Sequence, residues 1–286
     1  MRKGKRYFSL ILAGLLAVSL LAAVAARRKK IKNTLTVAIA ADPPTLDPHA
    51  ASIDSAVNNL NPVYETLVKY DDDGEIVPCL ATEWERIDDL RWRFKLRNDV
   101  KFHNGETLKA SDVKYSFERL VKLTKMATLM ENVEGYKELA DGAAEEMSGI
   151  QVQDDTHFTI KLVKPYAPFA SVLSTGYCAI YPEAACEEAG DTWGMQVLYG
   201  TGPFKMDSYQ SGVGVVLSRF DDYHGGAVKL DGLDYKFIED VNTQVLEYQK
   251  GNVDYVDVDP SIYPVYSSNP QIKDQMHGFQ LPETIL

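Results

Sequence analysis

The residues best suited to metal ligation, nucleophilic attack or proton transfer are five histidines, three cysteines and a large set of carboxylates. His49, His103, His157, His224 and His277 lie far apart, and no HExxH, GxSxG, P-loop or GxGxxG pattern occurs. Asp47 and His49, in LDPH, could supply half of a catalytic or metal pair. A loop locked by Pro43, Pro44 and Pro48 instead points to an Asp47 carboxylate that accepts from backbone amides. His103 precedes Asn104-Gly105, a tight-turn pair, and reads as an exposed turn residue. The run Asp71-Asp72-Asp73-Gly74 opens like a calcium loop, but the later oxygen ligands and closing Glu are missing, so it reads as a solvated turn. Cys79, Cys178 and Cys186 are odd in number and sparse. They read as small buried hydrophobes, with a Cys178–Cys186 pair left open. With 41 acids in the chain, a neighbouring pair such as Asp88/Asp89 carries no signal. No enzyme, cofactor or resident metal is expected.

Charge is unevenly placed. Nine basic residues and no acid fall in 1–32, which leaves 21 basic against 41 acidic residues in 33–286. So acidic a body excludes nucleic acid as a partner, because phosphate contacts need a basic surface. Residues 2–6 hold four basic side chains, and an uncharged apolar run follows from 7 to 26, the pattern of an export signal. Twenty residues make a helix of about 30 Å, enough to span a bilayer. The basic residues 27–30 that follow resist translocation. Residues 1–32 are therefore expected to be a signal peptide or an N-terminal membrane anchor, with the body extracytoplasmic in either case.

The elements behind these residues follow from periodicity and punctuation. Residues 34–40 read as a strand that runs into the proline loop. Residues 52–68 have helical apolar spacing, broken at Pro62. Trp92, Phe94 and Leu96 alternate with Arg91, Arg93, Lys95 and Arg97, a half-buried strand, and Val100 and Phe102 repeat the alternation. Ser111 is placed to cap a helix whose apolar face is Val113, Phe117, Leu120 and Val121. Hairpins are expected around Asp154-Asp155 and Ser211-Gly212, a strand at 178–181, and a helix opened by Pro182. A further helix over 241–250 ends at Gly251, followed by a strand at 253–256. Strands and helices mix without strict βαβ alternation, so the fold class is mixed α/β (α+β).

Eight segments then stand in one order. They are DPPTLDPH (42–49), YETLVKYD (64–71), PCLATEW (78–84), WRFKLRNDVKFHNGETLKASDVKYS (92–116), SGIQVQDDTHFTIKLVKPYAPF (148–169), GTGPFKMDSY (200–209), DYHGGAVKLDGLDYKFIEDVNTQ (222–244) and KGNVDYV (250–256). Together they resemble the family 5 extracellular solute-binding proteins, the receptors of peptide and nickel ABC importers.

The resemblance implies a periplasmic-binding-protein-like fold with an extra domain. On that basis 33–70 and 198–286 make an incomplete first lobe, and 71–197 make an inserted second domain. A third domain, the opposing lobe, is expected to follow and is absent here, as in a truncated form. The implied function is extracytoplasmic capture of oligopeptides for ABC permease subunits in the membrane, with the protein a monomer. Weak or no peptide binding is expected of this chain alone. Alternatives are a receptor for another solute, such as a metal chelate or an oligosaccharide, and a membrane-tethered sensor or interaction module. The family presents first-lobe backbone to ligand just after LDPH, which marks Ser52, Ile53 and Asp54 as candidate substrate-binding residues. A helix N-terminus capped by Ser52 is the competing reading of the same three residues.

Overall fold

A computed structural model describes residues 33–40, 42–50, 61–123, 125–258, 263–270 and 272–276. Two sheets organise these residues. The first has five strands: β1 (Thr34–Ile39), β8 (Phe204–Gln210), β9 (Gly214–Arg219), β10 (Gly232–Phe237) and β11 (Tyr255–Val256), in the order β11-β1-β10-β9-β8. β1 is parallel to both its neighbours, in register Thr34↔Gly232 through Ile39↔Phe237 on one side and Val37↔Tyr255 on the other. β8 and β9 form the antiparallel end, a hairpin about Ser211-Gly212, where Gly212 supplies a positive φ of 73°.

The second sheet has four antiparallel strands: β4 (Ala81–Arg86), β5 (Arg91–Leu96), β6 (Ile150–Val152) and β7 (His157–Lys161), in the order β4-β5-β7-β6. Its alternation is as the sequence predicts. Phe94 and Leu96 are buried while Arg91, Arg93 and Lys95 are exposed. Phe94 stacks on Phe158 across the strand pair, centroids 5.0 Å apart. Helix α1 (Ala110–Leu123) lays Val113, Phe117 and Leu120 into the same core. Each such buried side chain contributes about 1.5–3 kcal/mol. A small hairpin, β2 (Val68–Tyr70) with β3 (Ile76–Pro78), precedes this sheet. Short helices α2 (Tyr136–Ala140), α3 (Phe169–Val172) and α4 (Glu183–Ala189) connect back to the first sheet. Helix α5 (Val241–Gln249), capped by Asp240, carries the chain from β10 to β11.

Several local expectations are corrected. Helical spacing does not make a helix of 61–67. Asn61, Pro62 and Val63 form a turn, and Tyr64 and Leu67 are buried by packing in extended chain that enters β2. Val100 and Phe102 are buried, but the only pairing there is an isolated Lys101–Thr107 bridge. Ser111 lies inside α1, because the Asp112 carboxylate reaches back to the Lys109 amide at 2.8 Å. Residues 178–181 are buried without joining a sheet: Gly176–Cys178 is a 3-10 turn, and the Ile180 amide donates to the Glu65 carbonyl. The strand expected from Val253 begins at Tyr255. The Asp71–Gly74 turn is as expected, with Asp71 Oδ1 accepting the Asp73 and Glu75 amides.

Candidate binding edge and the polar seam behind it

In open α/β sheets a ligand sits outside the carboxyl ends of parallel strands, where connections part to opposite sides. Here that edge is formed by the ends of β1, β10 and β11. β1 leaves it through residues 42–50. β10 leaves it through Ile238 and Asp240 into α5, whose chain passes β1 to reach β11. Ser52, Ile53 and Asp54 fall in 51–60, outside the described residues. The loop that leads to them is described and is held from three directions.

From the β8–β9 hairpin, the Ser211 hydroxyl and the Gly212 amide donate to Asp42 Oδ2 at 2.9 and 2.7 Å. The Tyr209 hydroxyl donates to the Pro43 carbonyl. From the 190s, the Gly194 carbonyl accepts the Leu46 amide at 2.8 Å. Only glycine fits at 194, since a Cβ would lie 2.5 Å from Thr45 Oγ1 and 2.7 Å from Asp47 Cβ. From α1, Arg119 Nη2 meets Asp47 Oδ2 at 2.7 Å, with the Asp47 side chain 2% and the Arg119 side chain 13% exposed.

Asp47 does what its proline loop predicts, accepting the His49 amide at Oδ1 (2.9 Å), and more. The same oxygen accepts the Tyr181 hydroxyl at 3.2 Å. The Tyr181 ring packs 4.6 Å from His49 and lies under the Arg119 guanidinium at 5.6 Å. His49 Nε2 donates to the Ala179 carbonyl at 3.2 Å, and the Tyr64 hydroxyl donates to the Leu46 carbonyl. Burial lowers the His49 imidazole to about 4, against the pull of Asp47, so the ring is neutral at pH 7. Burial works against the Arg119 charge as well, and the adjacent Asp47 more than offsets it, holding the guanidinium above its ordinary value. Sequence reasoning missed Arg119. The available signal was Asp112, Ser116 and Arg119 at i, i+4 and i+7, a polar stripe alongside the helix's apolar face of Val113, Phe117 and Leu120. All three are used. Asp112 Oδ1 accepts the Glu183 amide at the start of α4, Ser116 Oγ accepts the Tyr181 amide, and Arg119 takes Asp47. Burial raises Asp112 to about 6.

A second polar cluster gathers at Glu65, in the extended chain that leads into β2. One carboxylate oxygen accepts Thr201 Oγ1 at 2.9 Å and faces His224 Nε2 at 2.7 Å. The other accepts the Tyr223 hydroxyl at 2.9 Å. Beside it, His103 corrects the sequence reading, for it is packed rather than exposed. Its ring sits edge-on to Phe220, and its nitrogens contact the Gly200 amide and the Gly202 carbonyl. The glycines of GTGPF are steric: a Cβ on Gly200 would fall 1.9 Å from the Val63 carbonyl oxygen, and one on Gly202 2.4 Å from that of Pro62.

The three thiols are free and buried, each raised by burial, Cys79 and Cys178 to about 12. A surface depression of about 640 Å³ between α1 and α4 is lined by Glu106, Lys109, Asp112, Glu183 and Glu187. Its Asp112 is fully engaged by the two amides above. Among the described residues, no three His, Cys, Asp or Glu side chains converge as metal ligands. Asp47, Ser116, Asp112 and His103 each hold a main-chain amide or carbonyl, so these polar groups brace backbone.

Comparison with known proteins agrees with this geometry. The family model described as bacterial extracellular solute-binding proteins, family 5 Middle, matches residues 75–284. The chain is 31% identical over 243 residues to the "Probable D,D-dipeptide-binding periplasmic protein DdpA" of Escherichia coli, covering 80% of this chain and 44% of that one. It is 25% identical to the nickel-binding periplasmic protein of Escherichia coli, covering 75% and 40%. Among solved structures, the Escherichia coli murein tripeptide binding protein MppA superposes with a TM-score of 0.78 at 25% identity, covering 84% and 48%. The chain spans about half the length of these relatives.

Proposed function

The chain belongs to the bacterial extracellular solute-binding proteins of family 5, and from that premise we propose that it contributes one wall of an extracytoplasmic peptide receptor serving an ABC importer. The observation that carries the reading is the braced loop 42–50 at the carboxyl edge of β1, β10 and β11, on a chain whose relatives are named for binding a D,D-dipeptide and a murein tripeptide. In this reading 33–70 and 198–286 form the first lobe, 71–197 form the inserted domain, and Ser52, Ile53 and Asp54 offer groups to the ligand. An extended peptide would satisfy its backbone against such an edge as an added strand does, with side chains in wet pockets that tolerate many sequences. Closure over it requires an opposing lobe that makes different contacts when open and closed. Delivery to a permease, export directed by 1–32 and a monomeric state complete the proposal. The role is binding, not catalysis.

A second reading, a metal chelate as ligand, is favoured by the nickel-binding relative. Thermal unfolding with added ligand separates the two. A ligand that binds only the folded state at ten times its Kd stabilises by about 1.4 kcal/mol. Binding by this wall alone is proposed to be weak but measurable: di- and tripeptides at tens of millimolar should raise the midpoint by about a degree or two, while a nickel chelate should not. A rise with nickel alone would favour the second reading, and no rise with either would overturn the receptor reading.

A further inference from the structure

The loop 42–50 has no regular secondary structure of its own, and Pro43, Pro44 and Pro48 remove three amide donors from it. Its place is therefore set by tertiary contacts. Two of the three anchors come from elements of the first sheet and the segment before it. The third comes from α1, whose Val113, Phe117 and Leu120 are fully buried in the other core. α1 is thus a fixed platform, and Arg119 is the side chain it extends to the loop. The contact is an odd choice for stability alone. Withdrawing two charges from water opposes much of what their attraction returns, so a buried ion pair is weak evidence for stability and better suited to selecting one arrangement over others. Selection is what the surroundings show. Asp47 Oδ2 takes the guanidinium, while Oδ1 takes the His49 amide and the Tyr181 hydroxyl. These three contacts converge on one carboxylate and tie it, and the loop that carries it, to α1 and Tyr181 in the present path. Tyr181 is in turn placed by α1, since its amide donates to Ser116 Oγ at 2.9 Å, one turn before Arg119.

We propose that Arg119 is a positioning residue for the loop 42–50: it never meets ligand, and through Asp47 it selects the loop conformation presented at the carboxyl edge. The second sheet and its helix are then a brace for the binding edge. Calling that edge ligand-facing rests on the receptor reading, whereas the ordering of the loop by Arg119 does not.

The test is residue-specific amide exchange in the intact chain, read at His49, whose amide donates to Asp47, and at Leu46, whose amide donates to Gly194. Arg119→Met strands Asp47 and can unfold the chain, so Asp47→Asn/Arg119→Met is measured beside it. That pair of substitutions removes both charges and keeps an oxygen for the His49 amide. We expect the double variant to keep its unfolding midpoint within about two degrees. Exchange at His49 and Leu46 should accelerate at least tenfold, with the amides of β5 and β7 unchanged. Arg119→Lys, which keeps the charge, should restore part of the protection. Wild-type exchange rates at both amides in the double variant would overturn the proposal, as would acceleration spread evenly over both sheets. Should peptides fail to bind even the wild-type chain, the receptor reading falls and the exchange result stands on its own.

Discussion

The Gly200 amide donates to His103 Nδ1 at 3.1 Å, while the His103 amide donates to the Gly200 carbonyl at 2.9 Å. The reciprocal pair fixes the tautomer. With Nδ1 accepting, the ring proton is on Nε2 and donates to the Gly202 carbonyl at 2.9 Å. A second proton on Nδ1 would face the Gly200 N–H, donor against donor. Burial agrees, lowering His103 to about 4.

Acid should therefore loosen the seam. His49 and His103 both titrate near 4 when folded and near 6.5 when unfolded. Below 6.5 the unfolded chain binds more protons, so their contribution, complete above 6.5, is lost as pH falls toward 4. Asp112 runs the other way: raised to about 6, it takes a proton in the folded state first and regains some stability between 6 and about 4. Glu118, also raised by burial, acts with Asp112, and the two large histidine shifts outweigh that pair. Urea unfolding at pH 7.5 and 4.5 should show a net loss at the lower pH. His103→Gln should weaken that dependence by up to one proton, at about 1.4 kcal/mol per pH unit. An unchanged slope would contradict the assignment.

Gly200 should not tolerate a methyl group. The obstacle is the Val63 carbonyl, which is backbone and cannot rotate away. Gly200→Ala should destabilise by about 3 kcal/mol, as overpacking does. Gly212→Ala meets nothing within 4 Å and suffers only from its positive φ, so about 1 kcal/mol is expected. Equal midpoints for the two in urea would remove the steric argument.

Glu65 receives two hydroxyls and faces a histidine nitrogen. Glu65→Gln presents an amide N–H₂ to at least one of these donors. A loss of roughly 2 kcal/mol in chemical denaturation is expected, in the range for hydrogen bonds to a charged group. No loss would mean that the cluster is held by packing alone.

The thiols should be silent in the native state. Burial disfavours the reactive thiolate at Cys79, Cys178 and Cys186. A chromogenic disulfide reagent at pH 8 should label none of them within minutes and all three in denaturant. Rapid native labelling, or fewer than three thiols after unfolding, would count against the buried free state.

What the sequence disclosed was local. The alternation in β5, the Asp71–Gly74 turn, the proline loop with its Asp47 and the helix through Phe117 each follow from neighbours a few residues apart. What stayed hidden was convergence. Glu65 and Thr201 are 136 residues apart, and nothing in either neighbourhood names the other. Val63, Tyr64 and Leu67 carry a helical spacing that packing overrides. His103 shows why a turn signal is incomplete, for Asn-Gly predicts the turn but not the surface it packs on. Arg119 was legible only as part of a stripe. Ser52, Ile53 and Asp54 came from the family resemblance rather than from spacing, and they lie outside the described residues.

The receptor account is tested most directly by hydrogen exchange of the chain with and without a tripeptide at millimolar concentration, which detects even weak binding. The account predicts slower exchange in the segment 42–54 and at 238–242, with 71–197 unchanged. Protection confined to 71–197, or none anywhere, would contradict it.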